Sequence, residues 1–121
     1  MRRTTWTAVG GFAGMGALAL AVPSAIPRLF GAQMPTAASR NEVRAVYGGF
    51  GIAVATLLAA TAHDPTARTW VHRVAGVSLL GMAAGRLVDL ALSADRPGFW
   101  PVGPVLAGET ALGAALLVPE R

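Results

Sequence analysis

Four long apolar runs, separated by short segments rich in proline and charge, constrain this chain more than any other feature. They cover about residues 6–22, 41–62, 67–92 and 104–118 of the 121 residues. A helix needs about 20 apolar residues to cross the hydrocarbon core of a bilayer, and these runs approach or reach that length. We therefore expect an all-α integral membrane protein, a four-helix up-down-up-down bundle that forms one domain over residues 1–121.

The composition agrees with this class and excludes several functions. Charged residues make up 13% of the chain and hydrophobic residues 54%, whereas a soluble domain has about 25% charged residues. The net charge is +4, but the basic residues are dispersed and form no tract, so we expect no nucleic-acid partner. The chain has no cysteine, which excludes disulfides and thiol-based metal or redox chemistry. We expect neither a metal nor a cofactor.

Local signals predict where two of the helices begin. Ser39 and Glu42 have the spacing of a capping box, which predicts that the second helix begins near Arg40. Asp64 precedes Pro65, and an acidic N-cap followed by proline is typical of a helix start. We therefore expect the third helix to begin at Pro65.

The arginines between the runs favour one orientation in the membrane. Four antiparallel spans place both termini and the loop after Ala62 on one side, together with Arg2, Arg3, Arg68, Arg73 and Arg121. The opposite loops carry Arg28, Arg40 and Arg96. Because cytoplasmic segments carry the excess of basic residues, we expect a multi-pass protein of the cell membrane with both termini in the cytoplasm. The first run also fits a signal peptide, an alternative that the three later runs disfavour.

Five ionisable residues lie inside the apolar runs and form the candidate site: Glu42, Arg44, Arg86, Asp89 and Glu109. A charge at the centre of a spanning helix costs roughly 2.5–3.5 kcal/mol, so five such residues need an explanation. With alternating helix directions, all five lie within about 10 Å of the non-cytoplasmic face. Tyr47 lies at a similar depth and could donate a hydrogen bond to a carboxylate. The sequence therefore predicts a polar site within one leaflet.

The charges of this site do not balance. Three carboxylates against two guanidinium groups leave one acid without a full partner, which would take up a proton or await a ligand. Arg86 can pair with Asp89 along its own helix or with Glu109 on the next, so the spare acid stays unassigned. The alternative is a structural network that only fixes helix register, with Glu42 as a cap and Arg44 reaching the lipid headgroups.

The two histidines do not predict a metal site. His63 and His72 lie on the other side of the membrane from the polar residues, and no acid converges on them. We expect both to lie at the interface, with His72 in the headgroup region.

The polar residues belong to a sequence pattern that resembles a known family. The pattern consists of Asn-Glu-Val-Arg-Ala-Val-Tyr-Gly-Gly at 41–49, Gly85-Arg86-Leu87, Asp95-Arg96-Pro97 and Glu109. It is similar to that of a small bacterial four-helix membrane family, the domain of unknown function numbered 4345. The resemblance covers most of the chain and implies a four-helix integral membrane protein whose polar positions are a family feature. It implies no activity.

The first functional hypothesis is a binding or scaffold protein in the lipid bilayer. Its polar site would hold the head of a lipophilic small molecule, with Arg44 and Arg86 as anchors. Glu109, aided by Tyr47, would accept a hydrogen bond or share a proton, and Glu42 completes the predicted ligand-binding set. Formation of a homo-oligomer stays open.

The alternative is a membrane-embedded acid/base enzyme of the isomerase, cyclase or epoxide-opening type. Its substrate would be a lipid or an isoprenoid-like molecule. Glu109 would act as the catalytic acid, Asp89 or Glu42 as the base, and Arg86 would position the substrate. The sequence alone does not decide whether the protein is an enzyme.

Overall fold

The computed structural model describes residues 2–119, with side chains from residue 3 onward, and these residues form five helices and no strand. The helices are α1 (Arg2–Ala21), α2 (Ala25–Leu29), α3 (Ala37–Thr61), α4 (Pro65–Leu92) and α5 (Val102–Leu117). The predicted all-α class is confirmed for this part of the chain. The four long helices correspond to the four apolar runs, and the short α2 was not predicted.

The predicted start of α4 is confirmed. Asp64 is the N-cap, and its carboxylate accepts hydrogen bonds from the backbone N–H groups of Thr66 and Ala67, both at 3.0 Å. Pro65 occupies the first helical position, where a backbone N–H would lack an intrahelical acceptor in any case.

The predicted start of α3 near Arg40 is wrong, because the capping box lies three residues earlier. Thr36 is the N-cap, and its hydroxyl accepts a hydrogen bond from the backbone N–H of Ser39 at 3.0 Å. The Ser39 hydroxyl accepts in return from the backbone N–H of Thr36 at 3.1 Å. Ser39 is therefore the third helical residue of the capping box and not its N-cap, and Glu42 has no capping role.

Helix α3 changes its winding in the middle. The segments Ala37–Val43 and Phe50–Thr61 are α-helical, whereas Arg44–Gly49 between them is π-helical. Within this turn Gly48 packs against α1, since a Cβ atom on it would lie 2.8 Å from the Cγ atom of Leu20. Short π-helical segments are rare and occur frequently at functional sites. This one carries two of the predicted site residues.

Helices α1 and α3 form an antiparallel pair held by glycines. A Cβ atom on Gly16 would lie 2.8 Å from the carbonyl oxygen of Gly48, and one on Gly51 would lie 2.8 Å from that of Phe12. Contacts that advance along α1 recede along α3, so the two helices run in opposite directions. Small residues at such an interface let the helix backbones approach closely.

Helices α4 and α5 form a second antiparallel pair of the same kind. A Cβ atom on Gly76 would lie 2.9 Å from the carbonyl oxygen of Gly113. Farther along α4, Arg86 contacts Glu109, which precedes Gly113 on α5, so these helices also run in opposite directions.

The core lies between the two pairs, toward the end where α1 and α4 begin. It consists of Ala8, Phe12, Ala55, Leu58, Ala75, Leu79 and Leu116. At this end Thr5 Oγ1 and His72 Nε2 are hydrogen-bonded at 3.0 Å, and both residues are buried. The first turns of α1 therefore cover His72, and its expected depth in the headgroup region stays a prediction. His63 is exposed in the turn between α3 and α4.

Candidate functional site

An ion pair between Arg86 of α4 and Glu109 of α5 forms the centre of the candidate site. Arg86 Nε donates to Glu109 Oε2 and Arg86 Nη2 donates to Glu109 Oε1, both at 2.8 Å. The carboxylate matches the planar fork of the guanidinium, which makes this contact both strong and directional. The Glu109 side chain is 8% exposed and that of Arg86 is 25% exposed. Of the two acids that could face Arg86, the structure therefore selects Glu109.

The ring of Phe30 lies against the same guanidinium. The Arg86 Cζ atom is 5.3 Å from the ring centroid, within the range of a cation–π contact. Phe30 directly follows α2, whose Pro27 is buried. Sequence reasoning missed Phe30, because the segment between α1 and α3 has no periodicity that indicates where a ring points.

The remaining predicted residues do not join this ion pair directly. Arg44 Nε donates to the carbonyl oxygen of Leu20 at the end of α1, 3.1 Å away. Asp89 Oδ1 accepts from the hydroxyl of Ser93 at 2.7 Å. Glu42 is exposed, and within residues 3–119 it contributes to no ion pair. Among the predicted site residues, direct contact thus joins Arg86 and Glu109, and Tyr47 and Asp89 line the cavities described next.

An apolar cavity of about 730 Å³ lies between the two helix pairs, on the Glu109 side of the ion pair. We call it the apolar groove. The described residues that line it are Gly11, Phe12, Met15, Ala45, Val46, Tyr47, Phe50, Leu79, Met82, Gly108, Glu109 and Leu112. Tyr47 and Glu109 are the polar side chains among them. Both lie within electrostatic range of Arg86, so the groove has one polar end and an otherwise hydrophobic wall.

A smaller cavity of about 260 Å³ continues the groove toward Trp70. It shares four lining residues with the groove: Phe12, Phe50, Leu79 and Met82. Trp70 lies 16 positions before Arg86 on α4, which corresponds to about 24 Å along the helix. The apolar lining of the two cavities therefore reaches from Trp70 to Met82 on α4, or about 18 Å along the helix. Sequence reasoning missed these residues, since an apolar residue facing a cavity has the same pattern as one facing lipid.

A third cavity, of about 680 Å³, lies on the other side of the ion pair. Its charged lining residues are Arg86, Asp89, Asp95 and Arg96, and we call it the polar vestibule. Phe30, Met82, Gly85, Pro97 and Val102 complete the lining. Sequence reasoning did not include Asp95 or Arg96 in the site. The available signal was an adjacent pair of opposite charges in the loop between α4 and α5.

The ion pair lies between the polar vestibule and the apolar groove. Arg86 lines the polar vestibule, whereas Glu109 lines the apolar groove. Met82 lines both, so the cavities adjoin along one side chain of α4. Within the described chain, no three His, Asp or Glu side chains are grouped so that they could hold a metal ion. The ion pair between Arg86 and Glu109 thus separates the apolar groove from the polar vestibule.

The sequence profile of one protein family matches residues 1–119. The chain belongs to the DUF4345 family, a domain of unknown function. The match covers all five helices, so all three cavities lie within the DUF4345 domain. It confirms the resemblance seen in the polar residues, and the family description names no activity. No curated protein and no solved structure matches the chain.

Proposed function

We propose that the protein is an integral membrane four-helix bundle of α1, α3, α4 and α5 that binds a lipophilic small molecule in the apolar groove. One observation carries this proposal. The groove has a hydrophobic wall and a single polar end, formed by Tyr47 and Glu109. Binding sites for small molecules typically combine an apolar lining with a few convergent polar groups that orient the ligand.

The lengths and exposures of two helices support a location in the membrane. Helices α3 and α4 are both long and apolar enough to cross a bilayer. In the most apolar 18-residue stretch of each helix, only 28% of α3 and 22% of α4 is buried inside the protein. In a soluble protein such helices would bury these residues in a core, whereas here the hydrophobic surface faces outward. Lipid is the environment in which that surface is stable.

Exposed aromatic residues at both ends of the molecule are consistent with two bilayer interfaces. Trp6 and Trp70 are exposed at the end where α1 and α4 begin, and Phe99 and Trp100 are exposed at the opposite end. Helix α4 has 28 residues, or about 42 Å, close to the thickness of a bilayer with its headgroups. Together with the distribution of arginines, this supports a multi-pass protein with cytoplasmic termini.

The groove is accessible from the side of the molecule. Val46, Phe50 and Met82 line it and are also about half exposed, at 49%, 55% and 45%. In a bilayer these residues would contact lipid chains. A lipophilic ligand could therefore enter from the membrane without crossing water.

The polar end suits binding better than acid catalysis. The Tyr47 hydroxyl can donate to a carbonyl or hydroxyl oxygen of a ligand, and carboxylate lone pairs of Glu109 can accept from a hydroxyl. Both Glu109 oxygens already accept hydrogen bonds from Arg86, so neither is placed to deliver a proton. This geometry favours a binding protein over the acid/base enzyme with Glu109 as its acid.

The test is to identify the lipophilic molecules that copurify with the protein after gentle detergent extraction, by solvent extraction and mass spectrometry. Gly11→Leu and Gly108→Leu would each place a side chain in the groove. A Cβ atom on either glycine meets no other atom within 4 Å, so helix packing is preserved. Both variants should lose most of the bound molecule.

Gly14→Leu and Gly81→Leu are the matched controls. A Cβ atom on either also meets nothing within 4 Å, and neither glycine lines the cavities described above. They should retain the ligand at the wild-type level. Absence of any lipophile from the wild-type protein, or equal amounts in groove and control variants, would contradict the proposal.

A further inference from the structure

The arrangement of the two cavities around one ion pair defines the chemistry of the ligand more closely. We propose that the bound molecule is a zwitterionic phospholipid with a primary ammonium, as in phosphatidylethanolamine. Its head group lies in the polar vestibule and one of its chains in the apolar groove. This inference rests on the proposed function and adds the class of ligand.

The relative positions of the cavities match the two parts of such a molecule. The vestibule lies where α4 ends, with Asp95 and Arg96 in the loop that follows. The groove extends from Glu109 toward the middle of the helices. A lipid in a bilayer has the same order, with its head at the surface and its chains in the interior. Met82 lines both cavities, so one ligand can occupy them together.

The charges of the vestibule indicate the charges of the head group. Arg86 is already paired with Glu109, and Asp89 Oδ1 accepts from Ser93, which leaves Asp89 Oδ2, Asp95 and Arg96 to meet a ligand. No ion pair joins these three residues to one another. Arg96 can bind a phosphate, and the N–H groups of an ammonium can reach the two carboxylates.

Other head groups match this set less well. A purely anionic head would meet two carboxylates and a single unpaired guanidinium. A quaternary ammonium, as in phosphatidylcholine, carries no N–H group and cannot donate to Asp89 or Asp95. A diacylglycerol has no charged group that could pair with the carboxylates or with Arg96. The vestibule therefore favours a phosphate with a primary ammonium over these three alternatives.

The experiment measures binding of defined lipids to delipidated protein in detergent, by native mass spectrometry. The probes are phosphatidylethanolamine, phosphatidylcholine, phosphatidylglycerol and diacylglycerol with identical chains, and soluble phosphoethanolamine. Phosphatidylethanolamine should bind about tenfold more tightly than phosphatidylcholine, phosphatidylglycerol or diacylglycerol, the effect of one charge-assisted hydrogen bond. Soluble phosphoethanolamine should bind far more weakly, because it has no chain for the groove.

Two variants separate the contributions of the opposite charges. Asp89→Asn with Asp95→Asn should abolish the preference for phosphatidylethanolamine over phosphatidylcholine. Arg96→Gln should weaken both phospholipids and leave diacylglycerol unchanged. Arg40→Gln and Asp64→Asn are controls, since both residues are exposed and lie outside the vestibule lining. They should keep the wild-type order of affinities.

Several results would overturn the assignment of the head group. These are tighter binding of phosphatidylglycerol, equal binding of all four lipids, or binding of soluble phosphoethanolamine as tight as that of the lipid. Gly108→Leu then distinguishes the two proposals. If Gly108→Leu abolishes lipid binding but the wild-type protein binds all four lipids equally, the groove binds a lipophile and only the head-group inference fails. If it changes nothing, both proposals fail.

Discussion

The Cβ position of Gly76 lies 2.9 Å from the carbonyl oxygen of Gly113, so α4 and α5 touch backbone to backbone. Gly16 and Gly48 bring α1 and α3 equally close. Between the two pairs, Gly11 and Gly108 line the apolar groove, and a Cβ atom on either would meet nothing within 4 Å. The groove therefore exists because the helices approach closely within each pair and less closely between the pairs.

Replacing Gly76 by alanine should destabilise the protein. The new methyl group would meet a backbone oxygen that cannot move without separating α4 from α5. We expect a loss of about 2 kcal/mol in the free energy of unfolding, typical of overpacking. The measurement is an unfolding titration with sodium dodecyl sulfate in mixed micelles. Gly81→Ala on the same helix meets nothing and should stabilise by about 0.5 kcal/mol. Equal effects of the two substitutions would contradict the backbone contact.

The two partners of the ion pair should differ in their sensitivity to substitution. Arg86→Met leaves a carboxylate that is only 8% exposed without its cation, and we expect a loss of about 3 kcal/mol in stability. Glu109→Gln keeps one acceptor and leaves a guanidinium that is 25% exposed, so its loss should be about 1 kcal/mol.

The double variant Arg86→Met with Glu109→Met completes this comparison. Removing both charges should recover most of the stability that Arg86→Met loses, because no unpaired buried charge is left. The same titration measures all three variants, with Arg40→Met as an exposed control. Additive losses in the double variant would show that the two residues do not interact.

Asp64→Ala should destabilise the start of α4. The substitution removes the acceptor of the Thr66 and Ala67 backbone N–H groups, and an N-cap is worth about 1 kcal/mol. Asp64→Asn keeps an acceptor oxygen and should lie close to wild type. Thermal unfolding followed by circular dichroism compares the two. A loss as large for asparagine as for alanine would mean that the charge, and not the hydrogen bonds, matters.

The proposed orientation can be tested by cysteine labelling, since the chain has no cysteine of its own. His63→Cys and Gly98→Cys place one thiol in each of two exposed connections at opposite ends of α4. A membrane-impermeant maleimide should label Gly98→Cys in intact cells and His63→Cys only after permeabilisation. The reverse result would invert the orientation, and labelling of neither in intact cells would argue against a spanning α4.

Sequence reasoning succeeded where a structural feature depends on neighbouring residues. The start of α4 follows from Asp64 and Pro65 alone, and the structure confirms it. At the start of α3 the same reasoning chose the wrong pair. A serine can occupy either the N-cap or the third helical position of a capping box. Ser39 occupies the third position, and Thr36 is the N-cap.

It failed where a feature depends on how the helices are rotated against one another. The choice of Glu109 over Asp89 as partner of Arg86 depends on the contact between α4 and α5. The burial of His72 depends on Thr5, which is 67 residues away in the sequence. The π-helical turn around Gly48 accompanies a close approach to Leu20 that no local pattern indicates.

Two pairs of glycines in this protein have separate consequences for divergence among related chains. Gly76 and Gly113 cannot gain a side chain without moving a helix, whereas Gly11 and Gly108 face open space in the groove. Under the proposed function, chains that share this helix arrangement can acquire different ligand preferences by single substitutions at positions 11 and 108, while the contacts that hold each pair together stay unchanged.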